Sequence, residues 1–187
     1  ALYTSGEVRY GGAAFQGKGF RSLGQEAIYA AAIRLRRGPA YRGADGRWRG
    51  DVIAPLIRDL GAVLAMRCEP ATIRMALNAQ MAKVGLPADG KDLTFGDFAW
   101  GIFSPAAPLA TATLTMAGMA MGFRREGSLR LTVSFIGEGG TSLGEWNEAV
   151  NLSAVHRLPI VFCVQNNQTA LSTPIIDQTA VRVFADK

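Results

Sequence analysis

Histidine and cysteine are nearly missing from this chain, with one His and two Cys among 187 residues. That scarcity excludes a disulfide framework and any metal centre built from clustered imidazole and thiolate ligands. Cys68 and Cys163 lack metal-ligand spacing, and Cys163 lies inside an apolar run, so both read as reduced structural thiols of an intracellular protein. His156, near the end of a predicted helix, reads as a helix-terminus or surface residue. The start of the chain shows no charged segment leading into an apolar one, so no secretory signal is expected there. It opens on Ala1 rather than methionine, as a processed protein or a fragment would.

Long charge-free runs are also rare. Residues 105 to 123 approach membrane-spanning length without a charge, but they hold two prolines, three threonines and two glycines. A buried helix packed through small residues is the expectation, with no membrane role. The formal net charge is +5, and Arg34, Arg36, Arg37, Arg42, Arg47 and Arg49 cluster in sequence. Only Tyr41 and Trp48 accompany them and no recognition motif is present, so nucleic acid is not an expected partner and subunit contacts are.

At 49% hydrophobic, the chain has material for one domain with a sizeable core. A glycine-rich arm is expected over residues 1 to 21 and a single domain over 22 to 187. Helices are expected near 22 to 37, 53 to 67, 70 to 84 and 106 to 122. The loop over 43 to 50 is expected to be exposed, with Arg42 and Trp48 as candidate interface residues.

The most informative segment runs from Gly137 to Asn167. Residues 129 to 136 put Leu129, Leu131, Val133 and Phe135 on one face of a strand. Leu158 to Val164 is a nearly unbroken apolar run that suits a strand buried on both faces. Between them, 142 to 157 place Leu143, Trp146, Val150 and Ala154 at helical spacing, with Glu145, Asn147, Glu148 and Asn151 turned away. A right-handed strand, helix, strand crossover brings both strand C-termini to one edge of a parallel sheet, where ligands bind in α/β folds. At that edge Gly139 and Gly140 allow a sharp turn that presents N–H groups to a phosphate, with Thr141 or Ser142 as the cap of the following helix. Glu138 would repel a diphosphate unless a cation lay between them, and magnesium takes oxygen ligands shared with phosphates. Asn167, 29 positions further on, offers a side-chain oxygen, and the turn after it can aim a carbonyl, that of Thr169, at the same ion. A nicotinamide-binding turn fits poorly, because G-x-G-x-x-G needs glycine where Ser142 stands and an acid where the second strand ends in amides.

The stretch GEGGTSLGEWNEAVNLSAVHRLPIVFCVQNNQTALSTP resembles the thiamine-diphosphate motif of the alpha subunit of the decarboxylating first component of 2-oxoacid dehydrogenase complexes. GQEAIYAAAIRL (24 to 35), IAPLIRDLG (53 to 61) and SPAAPLATATLTMAGMAMGF (104 to 123) extend the resemblance. It implies a thiamine-diphosphate-binding α/β fold, a mostly parallel sheet flanked by helices, of which this chain would carry the diphosphate half, truncated at its C-terminus. It also implies magnesium held by Glu138, Asn167 and the Thr169 carbonyl. The diphosphate would rest on the Gly137-Gly139-Gly140 turn and Arg58, and the Leu109 backbone would lie beside the aminopyrimidine. The implied activity is oxidative decarboxylation of a 2-oxoacid with acyl transfer to a lipoyl group. The implied partners are a beta subunit, in an alpha2beta2 heterotetramer, and a lipoyl-bearing acyltransferase. The implied location is the cytoplasm, or the mitochondrial matrix in a eukaryote. Glu138 in place of the commoner Asp, with PLAT and LSTP, leans towards branched-chain substrates over pyruvate.

Departures from the family pattern limit what this chain does alone. Leu56 and Ile57 stand where the family carries Gln-Tyr, and neither side chain forms a hydrogen bond. GKDLTFGDF (90 to 98) has no histidine where many members have one, and no catalytic residue is assigned within the chain. An acetoin-cleaving dehydrogenase, another thiamine enzyme, or a noncatalytic assembly subunit that kept the fold remain as alternatives.

Overall fold

The computed structural model describes residues 22–87, 89 and 95–187; the arm expected at 1 to 21 and part of the 90 to 98 stretch lie outside them. Chain order is a short helix α1 (Ala30–Ile33) led in by a 3-10 turn at Glu26–Tyr29, strand β1 (Val52–Ala54), helices α2 (Leu60–Met66), α3 (Pro70–Gln80) and α4 (Thr111–Arg125), strand β2 (Thr132–Gly137), helix α5 (Gly144–Val155) and strand β3 (Ile160–Gln165). A small hairpin of β4 (Thr169–Ala170) and β5 (Thr173–Pro174) follows. Among the described residues β1, β2 and β3 form one parallel sheet in that order. This is the expected α/β architecture, a parallel sheet flanked by helices.

β2 is the middle strand, and every residue from Thr132 to Ile136 is buried. Alternation splits those residues between two covered faces. Val133 and Phe135 join the main core with Val52, Ile53, Ala62, Val63 and Met66. Thr132 and Ser134 face α4, where the Thr132 hydroxyl donates to the Met116 carbonyl at 3.2 Å and Ser134 Oγ bonds Thr113 Oγ1 at 3.1 Å. α4 comes close because it presents Ala117 and Ala120, which pack with Ala149 of α5 and Leu158. Each large apolar side chain buried in β2 contributes about 1.5–3 kcal/mol relative to exposure.

Several expected elements are corrected. The helix over 53 to 67 is in fact β1 followed by α2. Val52, Ile53 and Ala54 are fully buried between β2 and the Ile102 bridge, and a three-residue apolar run with no exposed face carries no period to read. The helix over 22 to 37 stops at Ile33, because Asp51 draws the chain out. Its Oδ2 accepts from the Arg36 N–H at 2.7 Å, and its own N–H donates to the Arg36 carbonyl at 2.9 Å. The helix over 70 to 84 ends at Gln80, with Ala82 already left-handed at φ 49°. The helix over 106 to 122 is shifted to Thr111–Arg125, beginning beyond Pro105 and Pro108. β3 is an edge strand of the sheet rather than a doubly buried one, with Val161 47% exposed. On α5 the buried stripe is Trp146, Ala149 and Ser153, whereas Leu143 and Ala154 are exposed. Trp48 is no interface residue: its indole N–H donates to the Asp51 carbonyl at 2.8 Å in the core. The rest of the 43 to 50 loop is mostly exposed, and the Arg42 guanidinium lies over the Trp100 ring at 5.8 Å. Cys68 and Cys163 are free thiols, and His156 is exposed at the end of α5. Among the described residues no helix is long and apolar enough to cross a membrane.

Candidate functional site

The parallel pairing of β2 with β3 sets Gly137 opposite Gln165, so both strands end at one edge. The chain then turns as a 3-10 helix over Glu138–Ser142 before α5 begins. Neither Thr141 nor Ser142 caps α5, contrary to expectation. Leu143 holds the N-cap position, and the Thr141 hydroxyl folds back to donate to the Glu138 carbonyl at 2.6 Å. The extra turn carries the acid and both glycines inward, and Glu138 is only 3% exposed.

The glycines are there for space. A Cβ on Gly139 would lie 2.6 Å from the Ala170 Cβ on β4. One on Gly140 would meet Ile136 Cγ1 at 2.8 Å and Leu109 Cβ at 3.6 Å, and one on Gly137 would meet Arg58 Nη2 at 3.2 Å. The turn thus gathers Arg58, Leu109 and the β4 hairpin around it, although these come from three separate segments of the chain.

Asn167 and Thr169 follow β3 on an exposed bend, where the Asn167 side-chain oxygen accepts the Thr169 N–H at 3.1 Å. That Asx turn uses one lone pair of the oxygen and leaves the other. β4, which begins at Thr169, packs against the Glu138–Ser142 turn. Leu56 and Ile57 border a small apolar cavity with Leu60 and Val63 instead of bonding at the site.

Among the described residues three polar atoms at this edge are buried without a partner: Arg58 Nη2, Glu138 Oε1 and Gln178 Oε1. Each such group costs about 1–3 kcal/mol, more when charged, and one is a cationic donor while the other two are acceptors. A polyanion accompanied by a hard cation satisfies that combination: the anion takes the guanidinium N–H and the cation takes the oxygens.

Other participants carry no signal in the sequence pattern. Gln178 gives its Nε2 to the Thr173 carbonyl at 2.7 Å and brings its oxygen towards Gly139. Lys187 Nζ donates to Thr141 Oγ1 at 3.0 Å, placing a cation beside the turn. Tyr29, Asp59 and Gln165 stand behind Arg58, and the one available signal among them is Gln165, a polar residue closing an apolar strand.

The fold and the strand edge define an α/β domain that, among the described residues, leaves a buried cationic donor and buried acceptor oxygens unpartnered at the C-termini of its parallel strands. Residues 44–187 match the family described as Dehydrogenase E1 component, and the chain belongs to that family. It is 45% identical over 82 residues to the 3-methyl-2-oxobutanoate dehydrogenase subunit alpha of Mycobacterium tuberculosis (strain CDC 1551 / Oshkosh), covering 44% of this chain and 22% of the relative. It is 33% identical over 84 residues to the pyruvate dehydrogenase E1 component subunit alpha of Bacillus subtilis (strain 168), covering 45% and 23%. It is 29% identical over 137 residues to the 2-oxoisovalerate dehydrogenase subunit alpha of the same organism, covering 73% and 42%. The matches thus span from 22% to 42% of the length of these relatives.

Proposed function

We propose that residues 22–187 form the diphosphate-holding part of the alpha subunit of a thiamine-diphosphate-dependent 2-oxoacid dehydrogenase. The observation that carries this reading is the pair of buried, unpartnered groups of opposite charge, Arg58 Nη2 and Glu138 Oε1, beside a turn too crowded for side chains. Arg58 and the N–H groups of Gly139 and Gly140 would bind the diphosphate. Glu138, Asn167 and the Thr169 carbonyl would hold magnesium, and Leu109 would border the pyrimidine. Thiamine diphosphate, when bound, supplies the electron sink for carbon dioxide loss from a 2-oxoacid. This chain's own residues bind and orient its diphosphate end, and Leu56 and Ile57 add no polar contact to it. The acid–base groups belong to a beta subunit, in an alpha2beta2 assembly that passes the acyl group to a lipoyl-bearing acyltransferase in the cytoplasm or mitochondrial matrix. Branched-chain substrates are favoured over pyruvate, in keeping with Glu138 and with the PLAT and LSTP stretches.

Calorimetric titration of thiamine diphosphate and magnesium into the protein with its beta subunit supplied tests this. Saturable heat that needs both components is expected, and its absence would refute the reading. Glu138→Gln is expected to abolish the magnesium dependence without lowering the melting temperature of the ligand-free protein, because it removes a buried carboxylate oxygen that has no partner.

A further inference from the structure

Behind the diphosphate arginine lies a buried polar chain. Asp59 is fully buried, and its carboxylate takes the Leu56 N–H at 2.7 Å on Oδ2 and, on Oδ1, the Gln165 amide at 2.8 Å and the Tyr29 hydroxyl at 3.2 Å. Gln165, also fully buried, accepts Arg58 Nε on its carbonyl oxygen at 2.9 Å. Nη2 of the same guanidinium is buried and without a partner among the described residues, 3.2 Å from where a Gly137 side chain would begin. Tyr29 reaches Asp59 only because Gly61 has no side chain; a Cβ there would collide with the Tyr29 ring.

We propose that Asp59 is the positioning residue for Arg58, acting through Gln165 to aim the guanidinium at the diphosphate. The inference rests on the cofactor reading above and adds residues that reading does not use. The chemistry fixes the direction of the chain. A guanidinium only donates and a carboxylate only accepts, so the amide between them has one allowed orientation, NH2 to Asp59 and C=O to Arg58. Arg58 is thereby held at Nε, and the hydrogens of Nη2 are left for a ligand. Without the acid, the amide has no reason to point its oxygen at Arg58. In Asp59→Asn the side chain must still accept the Leu56 N–H, so its own NH2 faces Gln165. The Gln165 amide then turns over, and its NH2 meets the Arg58 N–H, donor against donor.

The test is a double-mutant cycle read by the affinity of thiamine diphosphate with magnesium, measured on the full-length subunit in complex with its beta subunit. Asp59→Asn is expected to weaken binding about tenfold in the presence of Arg58, the worth of one well-aimed charge-assisted hydrogen bond, and by less than about twofold in an Arg58→Ala background. A residue that merely supports the fold would weaken both backgrounds equally, and that result overturns the proposal. So does unchanged affinity in a folded Asp59→Asn protein. If Asp59→Asn does not fold, Gln165→Met gives the same cycle, because it removes the acceptor from Arg58 while leaving Asp59 the Leu56 and Tyr29 donors. Wild-type protein that binds no thiamine diphosphate overturns the cofactor reading and this inference with it; binding by the wild type with an additive cycle overturns the inference alone.

Discussion

Gly139→Ala puts the crowding at the turn to a quantitative test. The new Cβ would lie 2.6 Å from the Ala170 Cβ, where ordinary carbon contacts begin near 3.5–4.0 Å. An alanine Cβ cannot rotate away from its backbone, so the β4 hairpin must retreat by about 1 Å. Overpacking of this kind costs about 1–3 kcal/mol, and at about 2–4 °C per kcal/mol for a chain of this size the melting temperature should fall by several degrees. The same shift would carry the Thr169 carbonyl about 1 Å, so if that carbonyl holds magnesium as proposed, binding of the metal and cofactor should weaken as well. The rescue follows from the same geometry. Ala170→Gly removes the obstructing atom, and the next neighbours of the new Cβ at position 139 are then Gln178 Oε1 at 3.5 Å and the residue 170 Cα at 3.9 Å, both ordinary contacts. Ala170→Gly alone should cost about 0.5–1 kcal/mol of backbone entropy. The double variant should therefore be more stable than the sum of the singles predicts by about 1–2 kcal/mol. Thermal denaturation of the four proteins measures this, and strict additivity would show that the close approach of the turn to β4 does not exist in solution.

Two further outcomes follow from the same physical reasoning. Arg67 donates to Asp97 at 2.7 Å and to Glu69 at 3.1 Å with its guanidinium over the Trp100 ring at 4.9 Å; Arg67→Ala leaves half-buried Asp97 unpaired and should cost about 2 kcal/mol in urea denaturation, with Arg67→Lys recovering less than half because an ammonium group cannot fork and stack. Burial, opposed by the Ser22 hydrogen bond and reinforced by the charge of Asp59, pushes the Tyr29 hydroxyl up to about 12. Its folded-state value therefore exceeds the unfolded one, so this contribution is fully present below about pH 10 and is lost as the pH rises towards 12; stability against pH should fall more steeply there for the wild type than for Tyr29→Phe, and parallel curves would contradict it.

What the sequence makes legible is local. The glycine turn, the acid inside it, the amphipathic character of α5 and the strands on either side all lie within one crossover, where spacing along the chain and proximity in space coincide. β1 escapes sequence reading for the opposite reason, because its three residues owe their conformation to β2 and Ile102, roughly 80 and 50 positions away. The stripe expected on α5 is displaced by one position in its second turn: Ala149 is the small residue that packs with Ala117 and Ala120 of α4, Ser153 is buried one turn on, and composition alone favours the larger Val150. Trp48 reads as a surface aromatic because its neighbours are charged, yet Gly50 and Gly101 leave room for its ring beside the Asp51 carbonyl.

Of the chain of donors and acceptors behind Arg58 the sequence shows only Gln165, a polar residue closing an apolar strand, and the reason is physical. Asp59 and Gln165 are 106 positions apart, and neither residue type in its own context announces a partner. Resemblance alone places Arg58 at the site, but the motif does not say which of its nitrogens faces the ligand. That follows only from the third dimension, where a buried acceptor consumes Nε and leaves Nη2 unsatisfied beside Gly137. The same physics makes the arrangement asymmetric. Asp59 has donors for both oxygens, whereas Glu138 Oε1 and Arg58 Nη2 have no partner, so the unmet electrostatic demand of this edge sits on those two atoms. Binding of an anion and a cation there would relieve a desolvation penalty the fold already carries, so the groups that cost the domain stability are the ones expected to hold the proposed ligand.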